Sequence, residues 1–212
     1  MKKIICFIIV LTAVMLSTVA FAAETKLKPA AAELKRMSTF LSNFTELGFF
    51  DFDTAAEGPD GVLYLGNSDA ASDLIRFGIW HNYRNNYKSR IAQCKVDNCE
   101  YGSLSIDGKH VVESVKKYFD LNLKNHSVLE SDPPYYFDGK LYHFEGADGE
   151  ATYYADIKEV WEESDKTLRM TGELYNVDDK DDRPATFEAK AKPYKFGGKN
   201  TWAILSMRSE WN

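Results

Sequence analysis

The sequence predicts an α+β fold, with N-terminal helices packed on a C-terminal curved antiparallel β-meander. Apolar residues recur at three- and four-residue intervals as far as Tyr118, and from Tyr135 onward they alternate with a period of two. A meander with one apolar face must bury that face, and the three preceding helices are the available cover.

The first helix falls in "KPAAAELKRMSTFLSNFTELG", where Leu34, Met37, Leu41 and Phe44 share one face. Pro29 suits its first turn and Gly48 the left-handed residue that closes it. The next stretch, "FFDFDTAAEGPDGVLYLGNSD", carries turn residues throughout and reads as a loop. Ser68 or Asp69 then caps a second helix. Its first half, Leu74 to Trp80, is apolar on nearly all sides and therefore buried. In its second half Trp80, Tyr83, Tyr87 and Ile91 form a stripe expected to pack on the sheet. His81 lies well round from that stripe, towards a neighbouring helix, the cleft margin or solvent.

"YGSLSI" is a short strand, and Asp107 caps a third helix whose buried stripe is Val111, Val115 and Tyr118 or Phe119. "YYFDGKLYHF" reads as a hairpin turning at Asp138-Gly139, with positive φ expected at both residues. Four long strands follow, broken by the polar or Gly-rich turns "SDK", "DDKDDRP" and "GGKN". Alternation places Tyr153, Ala155, Ile157 and Trp161 on the buried side of the first of them. On the last, it buries Ala203, Leu205, Met207 and Trp211.

The N-terminal "MKKIICFIIVLTAVMLSTVAFA" has a basic head, an apolar run and a small-x-small end, which reads as a cleaved signal peptide over residues 1–22. Cys6 sits inside the apolar run and not in a lipobox at its end. The expectation is a periplasmic or secreted protein, without stable membrane insertion after cleavage, whose residues 23–212 form a single domain. The net charge is −6 and cleavage removes two lysines, so the chain lacks the basic patch that binding to nucleic acid requires.

Cys94 and Cys99 are the only cysteines that survive cleavage. In an oxidising compartment their spacing, CKVDNC, predicts a local disulfide. It is too wide for a CxxC redox motif and lacks the second half of a zinc knuckle. No cofactor is expected. No metal site is expected either, because His81, His110, His126 and His143 include no closely spaced pair.

His81 is the strongest single candidate for chemistry, since Asn85 and Arg84 lie about a turn away on the same helix. An imidazole held by such neighbours can act as a general base. Against this, a partly buried histidine satisfied by backbone, with Asn82, Asn85 and Asn86 only weakening the helix towards its end, is the commoner case. Tyr153, Tyr154 and Trp161 are candidates for a ligand-binding surface, with cross-strand packing as the plainer role. The order of helices and then meander over roughly Leu34 to Trp211 resembles the NTF2-like (cystatin-like) arrangement, which implies a pocket between sheet and helices. "FLSNFTE", "LIRFGIWHNY" and "VKKYFD" are also similar to segments of uncharacterised exported bacterial proteins, a resemblance that implies no activity. The expected function is non-catalytic binding of a protein, peptide or small ligand through the sheet or the helix-sheet cleft. The alternative is a small-pocket NTF2-like enzyme using His81 as acid/base.

Overall fold

The computed structural model describes residues 24–54, 63–64, 71–127, 134–146 and 152–212. The predicted signal segment and the Ser68/Asp69 cap lie outside these residues. The chain runs β1 (Thr25–Lys26), α1 (Ala31–Thr45), β2 (Phe52–Asp53), β3 (Leu63–Tyr64), α2 (Ala71–Arg90), β4 (Ile91–Gln93), β5 (Leu104–Asp107) and α3 (Gly108–Phe119). It continues with β6 (Tyr135–Phe137), β7 (Leu141–Phe144), β8 (Tyr153–Glu162), β9 (Leu168–Asn176), β10 (Ala185–Phe196) and β11 (Lys199–Trp211). The α+β class is as the periodicity predicts. Among the described residues no helix is long and apolar enough to cross a membrane.

Among the described residues there are two sheets where one was expected. The long strands form a seven-stranded sheet in the order β1-β8-β9-β10-β11-β2-β3, and the hairpin belongs to a four-stranded sheet in the order β4-β5-β7-β6. Helix α1 lies along β8 and satisfies its backbone. Ser42 Oγ accepts from the Ala155 N–H at 3.1 Å, Ser38 Oγ accepts from Ile157 at 3.2 Å, and Thr45 Oγ1 donates to the Tyr153 carbonyl at 2.7 Å. These contacts cover the stretch of β8 that β1 leaves open, since β1 pairs only with Trp161 and Glu162.

The buried sides of β8 and β11 differ from simple alternation because each strand carries a bulge. On β8 the register slips between Ile157 and Glu159. Val160 therefore follows Ile157 into the core, and Trp161 lies half-buried beneath Lys26 and Arg169. On β11 Ile204 pairs with Ala191 but Ser206 with Lys190, leaving Leu205 as the extra residue. Trp202, Ile204 and Met207 join the core, Leu205 stays half-buried, and Trp211 is 45% exposed. One inserted residue inverts the side-chain parity beyond it, and a periodicity count has no means of seeing the insertion.

Helix α2 is the wall shared by the two sheets. Leu74 and Phe77 enter the core of the large sheet, while Ile75, Ile79 and Trp80 enter that of the small one. This double burial is why the first half of α2 is apolar all round. Trp80 packs on Tyr135 and Phe144 and Tyr83 on Phe144, so the stripe meets the small sheet. Its end departs from expectation: Tyr87 is 42% exposed and Ile91 already belongs to β4.

Helix α3 crosses α2 at Gly78, where an added Cβ would stand 2.6 Å from Val111 Cγ1 and 3.0 Å from the Val111 carbonyl oxygen. Gly78→Val is therefore expected to destabilise the fold by about 2–3 kcal/mol through overpacking, as read by urea unfolding. A variant as stable as the parent would refute the close crossing. Beside this contact the fully buried Asn82 amide donates to the Gly78 carbonyl at 2.7 Å and to Ser114 Oγ at 2.8 Å, joining the two helices.

Candidate functional site

His81 is part of the core. It is 4% exposed, lies parallel to the Phe77 ring at 5.4 Å and meets Tyr118 edge-on at 4.6 Å. Burial, helped by the positive charges of Lys117 and Arg90, drives its pKa down to about 3, so the imidazole is neutral. Asn85 Nδ2 lies 3.3 Å from its Nδ1, as suits a donor to an unprotonated nitrogen, and also donates to Glu46 at 2.6 Å. Arg84 is exposed and points away to Thr152 Oγ1 at 3.1 Å. The three residues expected to share a pocket therefore do not. Of the directions expected for His81, it takes the one towards the neighbouring helix, against Tyr118 of α3, and is buried there. Around it Phe40, Phe44, Phe52, Phe77 and Phe119 fill the space between helices and large sheet.

The aromatic candidates are divided as well. Tyr153 packs edge-on against Phe50 and Trp211, while Tyr154 meets Tyr175 across the strand pair. Trp161 sits under its two cations. Each has a packing role, and they form no common surface.

Chemistry converges instead on the small sheet. Strand pairing sets Ala92, Ser105, His143 and Tyr136 side by side across β4, β5, β7 and β6. Their flanking neighbours Leu104, Ile106, Tyr142 and Phe144 point inward to α2, so alternation turns His143 to the outer face. His143 is nonetheless only 4% exposed.

What covers it is the loop between β4 and β5, which carries both cysteines. The Cys94 N–H donates to the Ser103 carbonyl at 2.8 Å, closing the loop base. Gly102 lets the return limb lie flat on β7: its φ is +130° and an added Cβ would meet the Phe144 carbonyl at 2.2 Å. Beside it the Glu145 carboxylate accepts from the Ser103 N–H at 2.9 Å and hydroxyl at 3.1 Å.

Both cysteines are free thiols in the structure and both face the imidazole. Cys94 Sγ lies 3.2 Å and Cys99 Sγ 3.8 Å from His143 Nδ1, and the three atoms fall within 4.8 Å of one another. On the other side of the ring, His143 Nε2 is 3.1 Å from Asp138 Oδ2. Asp138 is itself fixed at the hairpin turn, where its Oδ1 accepts from the Leu141 N–H at 2.7 Å and that of Lys140 at 2.8 Å. These backbone donors, with His143, hold its carboxyl below the usual range. Only Gly139 of the expected Asp-Gly pair has positive φ, at +99°, and Asp138 closes the turn through its side chain.

A groove of about 290 Å³ opens beside this cluster, lined among others by Val96, Cys99, Tyr101, Tyr136, Asp138 and His143. Tyr101 and Tyr136 stack at 4.9 Å, and Val96 and Tyr136 are 56% and 38% exposed. Thiols held against an oriented imidazole suit three chemistries: metal ligation, nucleophilic attack, or oxidation to the disulfide the spacing suggested. Burial pushes the Cys94 thiol pKa up, the reverse of what an activated nucleophile requires.

The sequence reading missed His143 and Asp138. A signal was present in "FDGKLYHF", because a hairpin that places an aspartate at its turn can return a histidine to it. The partner cysteines, 44 and 49 residues away, become neighbours only through the pairing of β5 with β7. No protein family, curated protein or solved structure matches this chain.

Proposed function

We propose that the protein is an exported, non-catalytic binding domain whose ligand site is the groove beside Cys94, Cys99 and His143. The observation that carries this reading is the convergence of two thiols and a carboxylate-held imidazole beside the exposed apolar side chains of Val96 and Tyr136. The enzyme alternative draws no support from His81, which lies sealed among Phe77 and Tyr118. Export rests on the N-terminal sequence pattern.

Native mass spectrometry of the exported protein tests the site. A stoichiometric adduct, ion or small molecule, is expected on the parent and on His81→Gln and is expected to be absent from Cys99→Ser. An adduct that a folded Cys99→Ser retains, or that a folded His81→Gln loses, would move the site away from the groove.

A further inference from the structure

Two sulfurs and one imidazole nitrogen that face a common point have the composition of a transition-metal site. Thiolate and imidazole donors together favour zinc over the hard cations, which prefer oxygen. The distances agree with this. Tetrahedral zinc, with bonds of about 2.3 Å to sulfur and about 2.0 Å to nitrogen, would hold a sulfur and a nitrogen about 3.5 Å apart. The two Sγ to Nδ1 distances, 3.2 and 3.8 Å, lie on either side of that value.

The surroundings are those a ligated histidine needs. Nδ1 can ligate only as an unprotonated nitrogen, so the ring proton must sit on Nε2, where Asp138 Oδ2 accepts it at 3.1 Å. Asp138 cannot readily turn away, because two backbone N–H groups hold its other oxygen. The Val96 N–H lies 3.5 Å from Cys94 Sγ, a contact that strengthens when the sulfur is a thiolate. A disulfide between the cysteines would need no oriented imidazole. A nucleophile would need one thiol at the nitrogen and not two.

From this geometry we propose that Cys94 Sγ, Cys99 Sγ and His143 Nδ1 bind one Zn²⁺, with Asp138 orienting the imidazole and the fourth position open to the groove. The inference rests on the groove being the binding site, and it names the ligand. Binding displaces one proton from each thiol, so the dication and two thiolates sum to zero charge beside the Asp138 carboxylate. The open position takes water or a donor group entering through the groove beside the stacked Tyr101 and Tyr136.

The test uses the exported chain, reduced, stripped of metal by a chelator and titrated with Zn²⁺, and with Co²⁺ as a spectroscopic probe. A single ion per chain is expected, with a thiolate-to-cobalt charge-transfer band in the near ultraviolet. Cys94→Ser, Cys99→Ser and His143→Ala should lose that band. Asp138→Asn, which keeps the oxygen that accepts in the turn, should keep the band and weaken binding roughly 10- to 100-fold. His126→Ala should bind as the parent does.

A reduced and folded chain that binds no ion overturns the site, as does one whose binding is unchanged in Cys99→Ser. An exported chain whose Cys94 and Cys99 are joined as a disulfide also overturns it, making the pair a staple. Rapid alkylation of Cys94 at neutral pH with Zn²⁺ present overturns it in favour of a nucleophile. An organic adduct on a chain that ignores Zn²⁺ removes the metal and leaves the groove reading standing, whereas neither adduct nor ion removes both.

Discussion

Phe77→Ala is expected to cost about 3–5 kcal/mol of stability, the range for truncating a fully buried aromatic. Phe77 is 0% exposed, and its ring meets Phe44 at 5.2 Å, Phe49 at 5.7 Å, Tyr118 at 5.5 Å and Phe119 at 4.9 Å. These neighbours come from α1, the segment after it, and α3, so the hole would open where three pieces of chain meet and none can collapse alone. Urea unfolding at neutral pH gives the number. A loss below about 1 kcal/mol would mean that the aromatic cluster is loosely packed and the assignment of Phe77 to its centre is wrong.

That cluster was only partly legible in the sequence, and the reason is physical. Local periodicity finds the buried face of α1, where Met37, Leu41 and Phe44 are buried as expected and Phe40 joins them. It also finds the Asp107 cap of α3, whose side chain accepts from the Lys109 N–H at 2.9 Å. Both depend on neighbours within one or two turns. His81 shows where such reasoning stops short of a single answer. Its angle from Tyr83 is set by the helix, but what occupies that direction is set by the placement of α3. The second sheet was hidden for a similar reason: β4 follows α2 without a break, and a three-residue strand carries too little alternation to announce itself. The Cys-His site depends on that sheet: only the pairing of β4, β5 and β7 brings its residues together.

The buried histidine leads to the second large effect, an acid destabilisation that His81→Gln should remove. The folded-state pKa of His81 is lowered to about 3 from an ordinary 6.5, so between those values the unfolded chain binds a proton that the native chain refuses. The stabilising contribution is complete above pH 6.5, declines as the pH falls through that window, and is fully lost near pH 3. Integrated from pH 7 to pH 4, the loss is about 3 kcal/mol. Carboxylates held below their usual range, Asp107 and Asp138 among them, weaken the fold in the same direction on acidification. The informative quantity is therefore the difference between parent and variant, measured on the reduced protein in the presence of a chelator so that no bound metal titrates with it. Glutamine is close in size and carries no titrating group, so the parent should lose about 3 kcal/mol relative to His81→Gln across that range. Parallel pH profiles for the two proteins would show that His81 takes up its proton equally well folded and unfolded, which a ring confined between Phe77 and Tyr118 cannot do. That result would return His81 to the surface and, with it, to candidacy as an acid/base group.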